Sequence, residues 1–129
     1  MKIIGHPLIK SKDIFFVDKI DESLKEKSVL FRYNHELIKK AAELGLEFSI
    51  ECFNTQQALI ANAINAELIV CDENTALKFS ELAEFYMFDS KIACVIQDEN
   101  ELEKLAKLKV DVAIFKEAIK KWKFLKQLF

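Results

Sequence analysis

Among the residues at the ends of the short aliphatic runs, Asn34, His35, Asp72, Asp98 and Lys116 are of types that bind or react. Each lies at or just past the end of a short aliphatic run, where a strand hands over to a helix in an alternating β/α chain. Two carboxylates and a lysine at such a rim could bind a phosphorylated metabolite through Mg²⁺, although the metal shell is incomplete. A nucleophilic arrangement is also conceivable, with His35 as base, Cys71 as thiol and Asp72 orienting the imidazole. The competing explanation is local, because Asn and Asp also cap helices by accepting bonds from orphaned first-turn amides. Capping accounts for most of these positions without any chemistry.

The elements that would position them follow from hydrophobic period. Strands are predicted at Val29 to Tyr33, Glu47 to Cys52, Leu68 to Cys71, Ile92 to Gln97 and Val110 to Phe115. Helices are predicted between them, opening at Asn34, at Asn54 or Thr55, at Asn74 or Thr75, and at Asp98, with Gly45 ending the first. The expected fold is a single α/β domain over 1–129: a three-layer, doubly wound, mainly parallel five-stranded sheet in the order 2-1-3-4-5, with five βα units in 28–129. Residues 1–27 read as an N-terminal strand or hairpin extension, with Ile3 and Ile4 broken by Gly5, His6 and Pro7, then Ile14 to Val17 and a short charged helix. Short βα units also build barrels, so half of a barrel completed by a second copy is the alternative.

Composition narrows the function classes. A chain of 129 residues with 51% hydrophobic and 31% charged residues, two Gly and one Pro is neither disordered nor linker-rich. A net charge of −2 provides no field for a phosphate backbone, so no nucleic-acid partner is expected. Charge is nonetheless uneven, with ten acids and two lysines in 67–103 and five lysines and one acid in 116–129. Two glycines cannot supply a G-x-G-x-x-G or P-loop motif, and two histidines with no C-x-x-C spacing form no recognisable metal site; no cofactor and no metal are predicted. No apolar run approaches the roughly 20 residues of a membrane span. Three scattered cysteines read as reduced thiols of a cytoplasmic protein.

The phrases AELIVCDE and VDVAIFK, with an acid closing the third strand and a lysine closing the last, resemble the receiver domain of response regulators. The resemblance covers 28 to about 129 and is one of pattern. It implies a flavodoxin-like architecture, a phosphoryl acceptor at Asp72 and a contacting cation at Lys116. The chain departs from the family where an acidic, Mg²⁺-holding pair would stand, reading Tyr33, Asn34 and His35, and where a switch hydroxyl would stand, reading Gln97 and Asp98. The resemblance therefore implies a degenerate receiver.

Two surfaces point to partners. Phe85, Tyr86, Met87 and Phe88 are consecutive, and at about 100° per residue a helix cannot turn all four to one core. The final KEAIKKWKFLKQLF places Ile119, Trp122, Leu125 or Lys126, and Leu128 at helical spacing. A last sheet-covering helix is expected there, with contact to a membrane surface or to a neighbour's acidic stretch as the alternative. The functional expectation is a non-catalytic, receiver-like protein-interaction module forming a homo-oligomer through Phe85, Tyr86, Met87, Phe88 and Trp122. The alternative is a small-ligand binder or enzyme acting on a phosphorylated metabolite at the carboxyl ends of the strands.

Overall fold

The computed structural model describes residues 1–122. Its strands are β1 (Lys2–Ile4), β2 (Ile14–Phe16), β3 (Ser28–Arg32), β4 (Glu47–Glu51), β5 (Leu68–Val70), β6 (Lys91–Ile96), β7 (Val112–Phe115) and β8 (Ile119–Lys121). Helices α1 (His35–Glu43), α2 (Thr55–Ala63), α3 (Glu73–Tyr86) and α4 (Leu102–Lys107) connect β3 to β7, and Glu22–Leu24 forms a short 3-10 turn.

All strand pairs are parallel, in the order β1-β7-β6-β5-β4-β3-β2-β8. That order forces curvature. β7 and β8 lie six places apart in the ladder, which in a flat sheet of about 4.8 Å spacing would separate them by about 29 Å. Phe115 and Ile119, however, are four residues apart and span at most about 14 Å. The sheet must therefore roll its two ends toward each other, and the result is a curled half-barrel.

Burial shows the same roll. Ile4, Ile14, Leu30, Leu68, Val70, Ala93, Val112, Ile114 and Ala118 form one buried cluster with no residue of α1 to α4 in it. Apolar side chains on a sheet face that no helix covers stay dry only if the sheet wraps around them. The larger cluster lies on the convex face, where Phe31, Phe48, Ile50, Ile69 and Ile92 pack against Ala41, Ala58, Ala61, Phe79 and Leu105 of the helices. A sequential run of right-handed β-α-β crossovers sets every helix on the same side.

Four expectations are corrected. The parallel sheet has eight strands, not five. Its middle runs in chain order rather than 2-1-3-4-5, so the helices form one layer and not two. Of the two amino-terminal alternatives the added strand holds and the hairpin does not: β1 pairs with β7 at the sheet edge, and β2 lies between β3 and β8. Residues 116–121 are not a helix, since Lys116–Ala118 make a 3-10 turn and Ile119–Lys121 pair with β2. Ile119 joins the concave cluster in this way, and the two-residue period of that pairing overrides the helical spacing. Leu125, Lys126 and Leu128 lie outside the described residues.

The helix caps are local and sequence-encoded. Asn34 and Asn54 accept bonds from Leu37 and Gln57 amides, and Asp98 from that of Asn100, with Glu101 completing a capping box. For α3 the cap is Asp72, not Asn74 or Thr75, so the helix starts earlier than expected. The four helices are followed or capped by left-handed residues: Gly45 (φ 66), Asn65 (φ 64), Met87 (φ 53) and Lys109 (φ 61). A glycine marks one of these four stops, so Met87 and Lys109 hold a conformation that costs a side chain about 1 kcal/mol.

At the amino-terminal end of the strands Glu67 lies beside Glu47, with Lys2 and Lys12 nearby. The bond to Glu47, then burial, then the Glu47 charge push Glu67 up to about 7, against the two lysines. A raised acid contributes stability in its protonated form, present below its ordinary value of 4.5 and lost as pH rises through about 7. The thermal midpoint of the wild type should thus fall relative to Glu67→Gln between pH 4.5 and 7, and a constant difference would show that the carboxyls do not share a proton. Gly5 sits at φ 90, where an added Cβ would lie 2.8 Å from Ala118 Cβ. Gly5→Ala should destabilise by about 2–3 kcal/mol in urea unfolding; a loss under 0.5 kcal/mol would mean the junction yields freely.

Candidate functional site

Since every strand runs the same way, the carboxyl ends all open at one mouth, and strand alternation decides which side chains reach it. Leu30 is concave, so Arg32 is too; Ser49 precedes Glu51, Phe16 precedes Asp18, and Ile119 precedes Lys121 by the same step. Arg32 and Glu51 are register partners on β3 and β4, and Arg32 Nε donates to Glu51 Oε1 at 3.2 Å. Both are solvent-accessible, so the pair contributes little stability. It orients the guanidinium at the rim.

Two hollows of about 520 and 380 Å³ flank the tip of β2 and share Phe16, Val17 and Asp18. Ile119, Lys120, Lys121 and Trp122 line the first; Arg32, Tyr33, Asn34 and Leu37 line the second. Their sizes suit a small ligand, with aromatic walls, three cations and one acid. Trp122 is fixed from behind, donating from Nε1 to Ser23 Oγ at 3.2 Å and packing edge-on to Phe15 at 5.0 Å, with Lys27 Nζ 5.9 Å from its ring.

The five residues singled out by sequence all lie at this end, but no one hollow gathers them. Asn34 lines the second hollow while its side chain caps α1 at 3.0 Å. His35 is exposed and contacts the Tyr33 ring, centroids 6.0 Å apart. Asp72 accepts from Thr75 N and Oγ1, each at 3.0 Å, and borders a separate cavity between β5 and β6. Asp98 caps the turn Glu99–Glu101, and Lys116 is exposed. Cys71 neighbours Cys94 rather than His35, with sulfurs 3.9 Å apart. Among the described residues no group of three or more His, Cys, Asp or Glu is arranged to hold a metal ion.

Sequence reasoning missed Asp18, Arg32, Glu51, Lys120 and Lys121 as site residues. A signal was present: EFSIE carries Glu47, Ser49 and Glu51 on one parity, a polar stripe unsuited to a face buried under a helix. Of the surface residues, Phe85, Tyr86 and Met87 are exposed, whereas Phe88 is buried at 8% and packs into the convex core, correcting its place in the interface. Left-handed Met87 reverses the chain and returns Phe88 inward. Among the described residues no helix is long and apolar enough to cross a membrane.

If Asp72 acts as a cap, Asp72→Ala should lower unfolding free energy by about 1 kcal/mol and Asp72→Asn by a few tenths, since Asn caps equally well. Equal losses in denaturant titration would assign the carboxylate charge another role.

No protein-family model matches the chain, and no curated protein matches it either.

Proposed function

We propose that the chain is a non-catalytic binding protein that takes a small phosphorylated molecule in the cleft around the tip of β2. The observation that carries this reading is a pair of adjoining hollows with a common wall of Phe16, Val17 and Asp18, one lined by Arg32 and the other by Lys120 and Lys121. Guanidinium and ammonium groups supply charge-assisted bonds to phosphate oxygens, and Tyr33, Phe16 and Trp122 offer apolar surface to the rest of the ligand. The rim acids Asp72 and Asp98 are engaged with backbone amides, which supports binding over acid-base catalysis. That engagement also counts against the receiver-type role for Asp72, although the carboxylate stays exposed and incubation with acetyl phosphate and Mg²⁺ would reveal any adduct.

A thermal-shift panel of sugar phosphates, nucleotides and inorganic phosphate tests the proposal. A cognate ligand at a hundredfold excess over its Kd stabilises by about 2.7 kcal/mol, a rise of several degrees, which Arg32→Ala or Lys121→Ala should abolish. Silence across the panel, or a shift untouched by both substitutions, would remove the reading.

A second reading is self-association through the end of α3, favoured by the exposure of Phe85 at 75%, Tyr86 at 61% and Met87 at 85%. The Phe85 and Tyr86 rings already meet edge-to-face at 4.8 Å and present one apolar knob. Light scattering should show wild-type mass rising with concentration toward twice the monomer and Phe85→Ser remaining monomeric. A wild type that stays monomeric at high concentration excludes this interface.

A further inference from the structure

We infer that Cys71 and Cys94 are a reactive dithiol that closes to a reversible disulfide when a hydroperoxide enters the cavity beside them. β5 and β6 pair in register through Val70↔Ala93, so the next step along both strands sets Cys71 opposite Cys94. The ladder continues there, because Cys71 N donates to Ala93 O at 3.0 Å. Laterally paired parallel residues have Cα atoms about 4.8 Å apart, inside the roughly 4.4–6.8 Å that a disulfide spans. The sulfurs are 3.9 Å apart and need side-chain rotation, not backbone movement, to bond.

Access comes from a hollow of about 240 Å³ between these strand tips and the first turns of α3 and α4, lined by Cys71, Cys94, Asp72, Glu73, Glu101 and Lys104 among others. Of the lining residues, Lys104 Nζ pairs with Glu73 Oε2 at 2.6 Å. The two thiols are inequivalent. The sulfur–sulfur hydrogen bond holds Cys71 below the usual thiol range against its burial, while that same bond and burial push Cys94 up. Cys71 immediately precedes the N-cap of α3, where first-turn amides favour a thiolate, so it is the nucleophile and Cys94 the resolving thiol. Cys52 stays outside the pair: burial, then the charges of Cys71 and Glu51, push it up to about 12, and its Sγ faces Ile50 O at 3.7 Å.

The balance is simple. The Cys71 thiolate attacks the terminal peroxide oxygen, the S–O bond forms as O–O breaks, and the departing hydroxide or alkoxide takes up the thiol proton and leaves as water or an alcohol. Cys94 sulfur then attacks Cys71 sulfur; S–S forms, S–O breaks, and the Cys94 proton leaves with the displaced hydroxide as water. Two thiols are oxidised by two electrons and one hydroperoxide is reduced. Nothing in this sequence depends on the ligand cleft.

The test is thiol counting on the whole chain. Three thiols should be alkylated in denaturant before hydrogen peroxide treatment and one after it, with peptide mapping placing the cross-link at Cys71 and Cys94 and dithiothreitol restoring all three. Cys52→Ser should still form the bond. Cys94→Ser should instead accumulate oxygen on Cys71. Three alkylated thiols after peroxide, a cross-link through Cys52, or oxidation of Cys94 ahead of Cys71 would each overturn the inference.

Discussion

Chain continuity between Phe115 and Ile119 is the constraint on which the rest of this structure depends. Three residues cannot reach across an open eight-stranded sheet, so strands at both ends of the hydrogen-bonding order must approach one another. Rolling encloses Ile4, Leu30, Val70, Val112 and Ile114 without any helix on that face. Each aliphatic side chain removed from water in this way contributes about 1.5–3 kcal/mol before the entropy of ordering is subtracted. The concave cluster can therefore dispense with the second helical layer that a doubly wound fold requires. It also leaves the carboxyl ends of the strands as an open mouth.

The middle of the fold was legible and its ends were not. Strands β3 to β7 and the caps at Asn34, Asn54 and Asp98 follow from local signals, namely apolar runs bounded by Asn or Asp. Their arrangement is a nonlocal property. Nothing within Lys2–Ile4 or Ile119–Lys121 says that each will join a parallel ladder more than a hundred residues away along the chain. Ile119 and Trp122 could be placed on a helix by spacing alone, and tertiary pairing overrode that period. The decisive clue to the roll was the parity of Glu47, Ser49 and Glu51, which reads as an ordinary exposed edge unless the opposite face is known to be covered.

The site shows the same division. Asn34, Asp72 and Asp98 were legible because helix starts advertise themselves, and for the same reason their side chains are occupied by backbone amides. Arg32, Lys121 and Asp18 were not legible, since a charged residue at the tip of a strand is unremarkable until curvature draws several tips around one opening. The thiol pair was hidden by register: Cys71 and Cys94 lie 23 residues apart, and only the Val70↔Ala93 alignment makes them neighbours.

The pairing of β1 with β7 also bears on how the protein reaches its native state. Ladders between β3 and β4 close loops of about 19 residues, whereas the β1–β7 ladder joins residues about 110 apart. Closure entropy grows as the logarithm of length, so the distant ladder costs about 1.5 kcal/mol more to initiate than the local one. Assembly is cheapest outward from the central βα units, and of the described ladders the β1–β7 one, beside Gly5, closes the longest loop.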